Sequence, residues 1–78
     1  MQSADMSPMQ LRLARTLAEI SRAKLAKLSG VSVQTIGNYE RGDTRIIRAN
    51  HDALRRALEG LGVEFLEDDG VKRRRQWP

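Results

Sequence analysis

A short polar segment carries side chains suited to reading DNA bases. Within residues 30–42, GVSVQTIGNYERG, uncharged groups stand where a surface helix normally carries Lys and Glu. An amide pairs bidentately with adenine, and a methyl group can touch the thymine methyl in the major groove. The residues predicted to contact bases are Val33, Gln34, Thr35 and Asn38.

A helix over residues 33–41 is expected to position this polar face. Ser32 is a strong N-cap candidate, because its hydroxyl can accept a hydrogen bond from an amide two or three residues on. Ile36 and Tyr39 lie three apart on the other side, and Gly42 ends the helix. Gly30 suits a tight turn before it, since glycine adopts a left-handed conformation without steric cost. This arrangement is typical of a recognition helix.

The preceding residues complete a helix-turn-helix. Ser21 is a second N-cap candidate, and a helix of residues 22–29 follows it. From about Met6 to Arg48 the chain resembles the Cro/lambda-repressor type of helix-turn-helix domain, the XRE family. The matching elements are Ile20-Ser21, Leu25-Ala26, Gly30-Val31-Ser32, Ile36 and Glu40-Arg41-Gly42. The resemblance implies a mainly α fold built on a Cro/lambda-repressor-like helix-turn-helix. With the residues that follow, we expect a four-helix domain with a short C-terminal β-hairpin or extended tail.

The resemblance also implies roles for three charged residues. Arg22 stands where the family usually places a Gln that grips phosphate beside the recognition helix, and a guanidinium group suits a phosphate well. A solvated surface Arg is the alternative. Arg15 and Glu40 occupy positions that form a structural pair between helix one and the end of helix three in related repressors.

Other residues near the recognition helix are predicted to contact phosphate. Arg41 and Arg45 lie just past its end, and Ser32 at its start is either a phosphate contact or a cap alone. Gly37 costs about 1 kcal/mol relative to Ala in a helix interior. Close approach to the DNA backbone would explain it, and chance on a tolerant surface is the alternative.

The rest of the chain is expected to form two more helices and a hairpin. Residues 1–6 resemble a frayed start. Ser7, Pro8 and Gln10 predict a capped helix over residues 8–18. After a connector at 42–49, Asn50 is expected to cap a helix over 50–61 that Gly62 ends. Asp69-Gly70 between short β-capable runs predicts a hairpin. The predicted division is a DNA-binding domain at 7–62 and a hairpin or tail at 63–78.

Composition agrees with a nucleic-acid-binding domain. The net charge is +4 and the pI about 10.3, and the excess lies within residues 1–50. No Cys is present and no apolar run reaches membrane-spanning length, which favours a cytoplasmic protein. His51, the single histidine, is expected to be an exposed bystander. The acidic cluster at 67–69 lacks an EF-hand pattern and suits a turn, so no metal site is predicted.

Enzymatic chemistry finds no support, because nucleophile and phosphate-loop motifs are absent. No cofactor is predicted. The leading interpretation is a sequence-specific regulator, a repressor or repressor-activator, that binds double-stranded operator DNA. The alternative is an antitoxin-like or other interaction module whose C-terminal tail binds a partner protein. RNA binding ranks third, because stacking aromatics are scarce.

The C-terminal segment leaves several interpretations open. Apolar side chains beyond Gly62 must pack on the helices, on a second copy, or on both, because an isolated hairpin is marginal in water. We expect a homodimer in which residues 61–75 contribute much of the interface, because it would place two recognition helices on a two-fold operator. The competing arrangement is a hairpin folded onto helix four, with dimerisation only on DNA. Residues 72–75 form either a basic arm on DNA or a solvated strand edge.

Overall fold

Four helices followed by a two-stranded antiparallel hairpin form the part of the chain described by the computed structural model, residues 5–74. The elements are α1 (Pro8–Ala18), α2 (Arg22–Ser29), α3 (Val33–Glu40), α4 (Arg48–Gly60), β1 (Val63–Phe65) and β2 (Val71–Arg73). The expected mainly helical class, with its C-terminal hairpin, is confirmed. Arg75 and Trp77, which belong to the predicted tail, lie outside the described residues.

Serine caps begin the first three helices. Ser7, Ser21 and Ser32 have extended backbone, and each side chain accepts a hydrogen bond from the amide three residues on. Ser7 and Gln10 complete a reciprocal capping box, with Pro8 at the first helical position. Gly30 ends α2 at φ 80°, a left-handed conformation that glycine adopts without strain. These local signals set the observed starts of α1, α2 and α3.

One core lies between the helices and β1. Its side chains come from every helix, so each amphipathic face is buried against the others, and burial of one Leu or Ile contributes about 1.5–3 kcal/mol. The buried apolar residues are Met6, Leu11, Ala14, Leu25, Val31, Ile36, Tyr39, Leu54, Leu58 and Val63.

The expectation that residues 1–6 form a frayed start is wrong for Met6. Met6 is fully buried, and its backbone amide donates to His51 Nε2 at 2.9 Å. Its carbonyl accepts a hydrogen bond from the Tyr39 hydroxyl. The chain before α1 is therefore fixed on α3 and α4 from residue 6 onward.

The fourth helix begins earlier than predicted. Its N-cap is Ile47, with extended backbone and no capping side chain, and Asn50 lies inside the first turn. The His51 amide bonds to the Ile47 carbonyl. Within the first turn of α4, Arg48 Nη1 lies 3.4 Å from Asp52 Oδ1. Contacts within the first turn therefore replace the Asn50 cap, and the helix predicted over 50–61 spans Arg48–Gly60.

The hairpin packs on α1 and α4 of its own chain. Val63 is buried, and Phe65 and Val71 lie partly buried against the core. Gln10 Nε2 on α1 donates to the carbonyls of Leu66 at 2.7 Å and Gly70 at 3.0 Å, on either side of the turn. Most of the apolar surface that predicted a tail-mediated dimer is thus used within the chain.

Candidate nucleic-acid interface

The recognition helix α3 has one buried face and one open face. Ile36, Tyr39 and Glu40 are buried, while Val33 is 47% exposed and Gln34 is exposed. Side chains three and four apart share a helix face, so Gln34, Asn38 and Arg41 lie along one line on the open side. The helix therefore presents amides and a guanidinium group outward.

Gln34 and Asn38 differ in how free their amides are. Within residues 5–74 the Gln34 side chain makes no hydrogen bond, so both its donor and its acceptor remain open. Asn38 is half-buried, and its Oδ1 accepts from Arg41 Nη2 at 2.7 Å. The Asn38 amide is consequently oriented by Arg41, whereas Gln34 is free to adjust.

Ser32 and Thr35 form a local pair at the start of α3. Ser32 Oγ accepts from the Thr35 amide at 3.1 Å and donates to Thr35 Oγ1 at 2.9 Å. The Ser32 hydroxyl proton is thus used internally. Thr35 is half-buried and retains its own hydroxyl proton for an outside acceptor.

Glu40 joins three elements at the buried end of α3. Its side chain is fully buried, and its carboxylate accepts from Arg15 Nε at 2.8 Å and Arg15 Nη2 at 3.1 Å. Arg22 Nε on α2 donates to the same carboxylate at 3.0 Å. Arg12 donates to the Glu40 backbone carbonyl. Arginines of α1 and α2 are thereby fixed to the recognition helix by one acid.

The arginines keep this buried acid ionised. Burial raises the pKa of the Glu40 carboxyl, but hydrogen bonds from Arg15 and Arg22 outweigh that effect, so the pKa lies below its ordinary value. The pKa of Arg15 is raised, chiefly by its hydrogen bond to Glu40. Both shifts favour the charged pair at neutral pH.

Arg22 therefore has a structural partner that its sequence position did not reveal. Two of its donors, Nε and Nη2, lie 3.0 Å from Glu40 Oε1, and the side chain is 39% exposed. Residues 22 and 40 are 18 apart in the chain, so no local pattern announces the contact. Only part of the Arg22 guanidinium remains available to an outside anion.

Arg41 lies across the recognition helix beside Gly37. A Cβ atom at Gly37 would stand 3.2 Å from Arg41 Nη1, closer than ordinary van der Waals contact, and 3.7 Å from Arg22 Nη1. Within the described part of the chain, Arg41 forms no ion pair with an acidic side chain. Two guanidinium groups thus converge on the one residue of α3 that lacks a side chain.

Arg45 is exposed and paired with an acid two residues before it. The side chain is 90% exposed, and Arg45 Nε lies 2.9 Å from Asp43 Oδ1. A second bond joins Arg45 Nη2 to Asp43 Oδ2 at 3.1 Å. These hydrogen bonds lower the pKa of the Asp43 carboxyl. Asp43 therefore competes with any approaching phosphate for the Arg45 guanidinium group.

His51 is buried, contrary to expectation, and belongs to the scaffold behind the interface. Because Nε2 accepts from the Met6 amide, Nδ1 carries the proton and donates to Asp52 Oδ1 at 2.9 Å. The ring meets Tyr39 edge-on, with centroids 6.2 Å apart. A partner 45 residues away in sequence explains why its position alone suggested exposure.

Neither metal nor membrane chemistry is indicated within residues 5–74. No group of three or more His, Cys, Asp or Glu side chains is arranged to hold a metal ion there. No helix among those residues is both long and apolar enough to cross a bilayer.

The fold and the open polar face of α3 together define a DNA-binding helix-turn-helix protein. A family model described as helix-turn-helix matches residues 11–67, most of the chain. The chain belongs to this family, of the Cro/lambda-repressor or XRE type, and is a DNA-binding regulator that takes double-stranded DNA as its partner. The family domain is regulatory and not catalytic. No curated protein matches the chain significantly.

Proposed function

We propose that the chain is a transcriptional repressor or repressor-activator that reads operator half-sites with α3. The observation that carries this proposal is the open face of that helix. Gln34 is exposed without an internal partner, and Arg41 on the same side has no acidic partner within the described residues. Unpaired amides read base edges, and guanidinium groups neutralise phosphates.

The residues of α3 and its flanks divide into two roles under this proposal. Base contacts come from the open side of the helix, and phosphate contacts from its two ends and from α2. The base-contacting residues are Val33, Gln34, Thr35 and Asn38. The phosphate-contacting residues are Arg22, Ser32, Arg41 and Arg45, and Ser32 contacts phosphate by turning its hydroxyl proton away from Thr35 Oγ1. Arg22 acts with its remaining donors, those of Nη1 above all, while Glu40 holds Nε and Nη2.

A homodimer on a two-fold operator completes the proposal, because a single recognition helix reads only a few base pairs. The packing of Val63, Phe65 and Val71 on the chain's own core supports dimerisation on DNA over a tail-built dimer. Leu66 remains 41% exposed, and Met9 and Leu13 are exposed on α1. Together with Leu28, Val33 and Ile47, these side chains are the large apolar residues left exposed within residues 5–74.

The alternative role is an antitoxin-like module that binds a protein through its tail. An extended tail would support it, whereas β1 and β2 form a hairpin held by Gln10. The compact hairpin therefore favours the simple regulator.

Selection of bound sequences from a random duplex pool tests the proposal directly. The wild-type chain should enrich one motif, and a two-fold repeat within it would report dimer binding. A Gln34→Ala protein selected in parallel should lose preference at one position of each half-site. Failure of the wild type to enrich any sequence would contradict sequence-specific regulation.

A further inference from the structure

We propose that Gly37 is a positioning residue that lets Arg22 and Arg41 form one two-guanidinium clamp for a DNA phosphate. Arg41 Nη1 and Arg22 Nη1 lie 3.2 Å and 3.7 Å from the position that a Gly37 Cβ would take. Any larger residue at 37 would fill the space in which the two groups meet. The inference rests on the proposed DNA-binding function and deepens it.

The charge around this clamp points to an anionic ligand. Two like-charged groups repel each other, and an anion that lies between or beside them offsets this repulsion. Within the described residues, the one carboxylate paired with either group is Glu40, and it is fully buried behind Arg22. Arg41 is held by the neutral Asn38 amide instead, at 2.7 Å. The outward donors of both arginines are therefore left for a ligand, and a phosphate accepts such a fork well.

The backbone cost of Gly37 supports the same conclusion. A glycine inside a helix costs about 1 kcal/mol relative to Ala, and Gly37 has no positive φ that would require glycine. Its benefit must therefore come from what surrounds it, and its nearest side-chain neighbours are the two guanidinium groups.

Binding of an end-labelled random-sequence duplex of about 20 base pairs, between about 50 and 200 mM salt, tests the clamp. Gly37→Leu and Arg41→Gln should each weaken binding about tenfold, the loss expected for one charge-assisted contact. Each should also reduce by about 0.9 the slope of the logarithm of the binding constant against the logarithm of the salt concentration, which is the contribution of one phosphate contact. Gly60→Leu is the matched control, because Gly60 is an exposed helix residue where an added Cβ atom meets nothing within 4 Å.

A combined variant separates displacement of the two arginines from simple obstruction of DNA. If the leucine introduced by Gly37→Leu acts by moving Arg22 and Arg41, adding that substitution to a protein that carries both Arg22→Gln and Arg41→Gln should change affinity by less than about twofold. A further large loss in this combined variant would show that the introduced side chain blocks the duplex, and would overturn the proposal. Melting curves should show that every variant is folded. If Gly37→Leu does not fold, Arg41→Gln by itself still tests the clamp, and an unchanged salt slope for that variant would overturn it.

The outcomes distinguish the clamp from the function beneath it. If the wild type binds the duplex and Gly37→Leu binds within twofold of it, the clamp is wrong and the DNA-binding function stands. If the wild type binds no duplex at any salt concentration, both are wrong.

Discussion

The Arg15 guanidinium grips the Glu40 carboxylate at two points, Nε to Oε2 at 2.8 Å and Nη2 to Oε1 at 3.1 Å. This contact ties α1 to the end of the recognition helix across 25 residues of sequence. Arg22 joins the same carboxylate from α2. One buried acid thus links α3 to both of its supporting helices.

Removal of that acid should destabilise the fold. Glu40→Ala leaves Arg15, 21% exposed, without its partner, and we expect a loss of about 3 kcal/mol in the free energy of unfolding. Arg22→Ala should cost less than about 1 kcal/mol, because its side chain is more exposed and water screens the pair. The double change Arg15→Met with Glu40→Leu should recover much of the loss. A Glu40→Ala loss below about 0.5 kcal/mol in urea unfolding would contradict a structural role.

Stability should decrease in acid as Glu40 becomes protonated. Its pKa is lowered in the folded state, so this stabilisation is fully present above the ordinary glutamate value of about 4.3 and is lost as pH falls through the folded pKa. Glu40→Gln removes the titration, and its stability should depend less on pH in this range than that of the wild type. Parallel curves for the two proteins between pH 6 and about 3 would exclude Glu40 as a source of acid sensitivity.

Gln34 should govern sequence preference while Arg22 governs general affinity. Gln34→Ala is expected to cost about 1–3 kcal/mol on the selected site and to relax one base pair, because a bidentate amide contact is lost. Arg22→Ala should weaken all duplexes alike and flatten the salt slope. Competition binding against single-base variants of the site measures both. An unchanged base preference in Gln34→Ala would refute the base-reading role.

Release of Arg45 from Asp43 should strengthen DNA binding. Asp43→Asn removes the acid that holds the Arg45 guanidinium, and we expect roughly two- to fivefold tighter binding to a random duplex at low salt. The control is Asp68→Asn, which makes the same change in charge at an exposed acid in the hairpin turn, away from α3. Equal effects of the two substitutions would mean that net charge alone, and not Arg45, is responsible.

The hairpin should stabilise the monomer more than it assembles a dimer. A chain ending at Gly62 loses Val63 from the core and the two carbonyl partners of Gln10, so its melting temperature should fall sharply. Sedimentation of the full chain at tens of micromolar should show a monomer without DNA, and two copies on a two-fold site. A stable free dimer that Leu66→Asp dissociates would instead support a tail-built interface.

Local sequence signals predicted the elements near the site well. The Ser7 and Gln10 capping box and the Ser21 and Ser32 caps place the starts of α1, α2 and α3 as the structure has them. Each of these signals acts within one turn of helix, so the partner is always a few residues away in sequence. The start of α4 differs from the prediction, because Ile47 has no capping side chain to reveal it.

The sequence by itself determined the family, the order of the helices and the polar composition of the face on α3, because caps and helical periodicity act between neighbours. Only the tertiary structure decided that Arg22 is captured by Glu40, that Met6 is fixed by His51, and that Gly37 lies under two guanidinium groups. These contacts join residues on different elements, whose meeting depends on how the helices pack. The availability of each charged group for DNA follows from that packing and not from its place in the sequence.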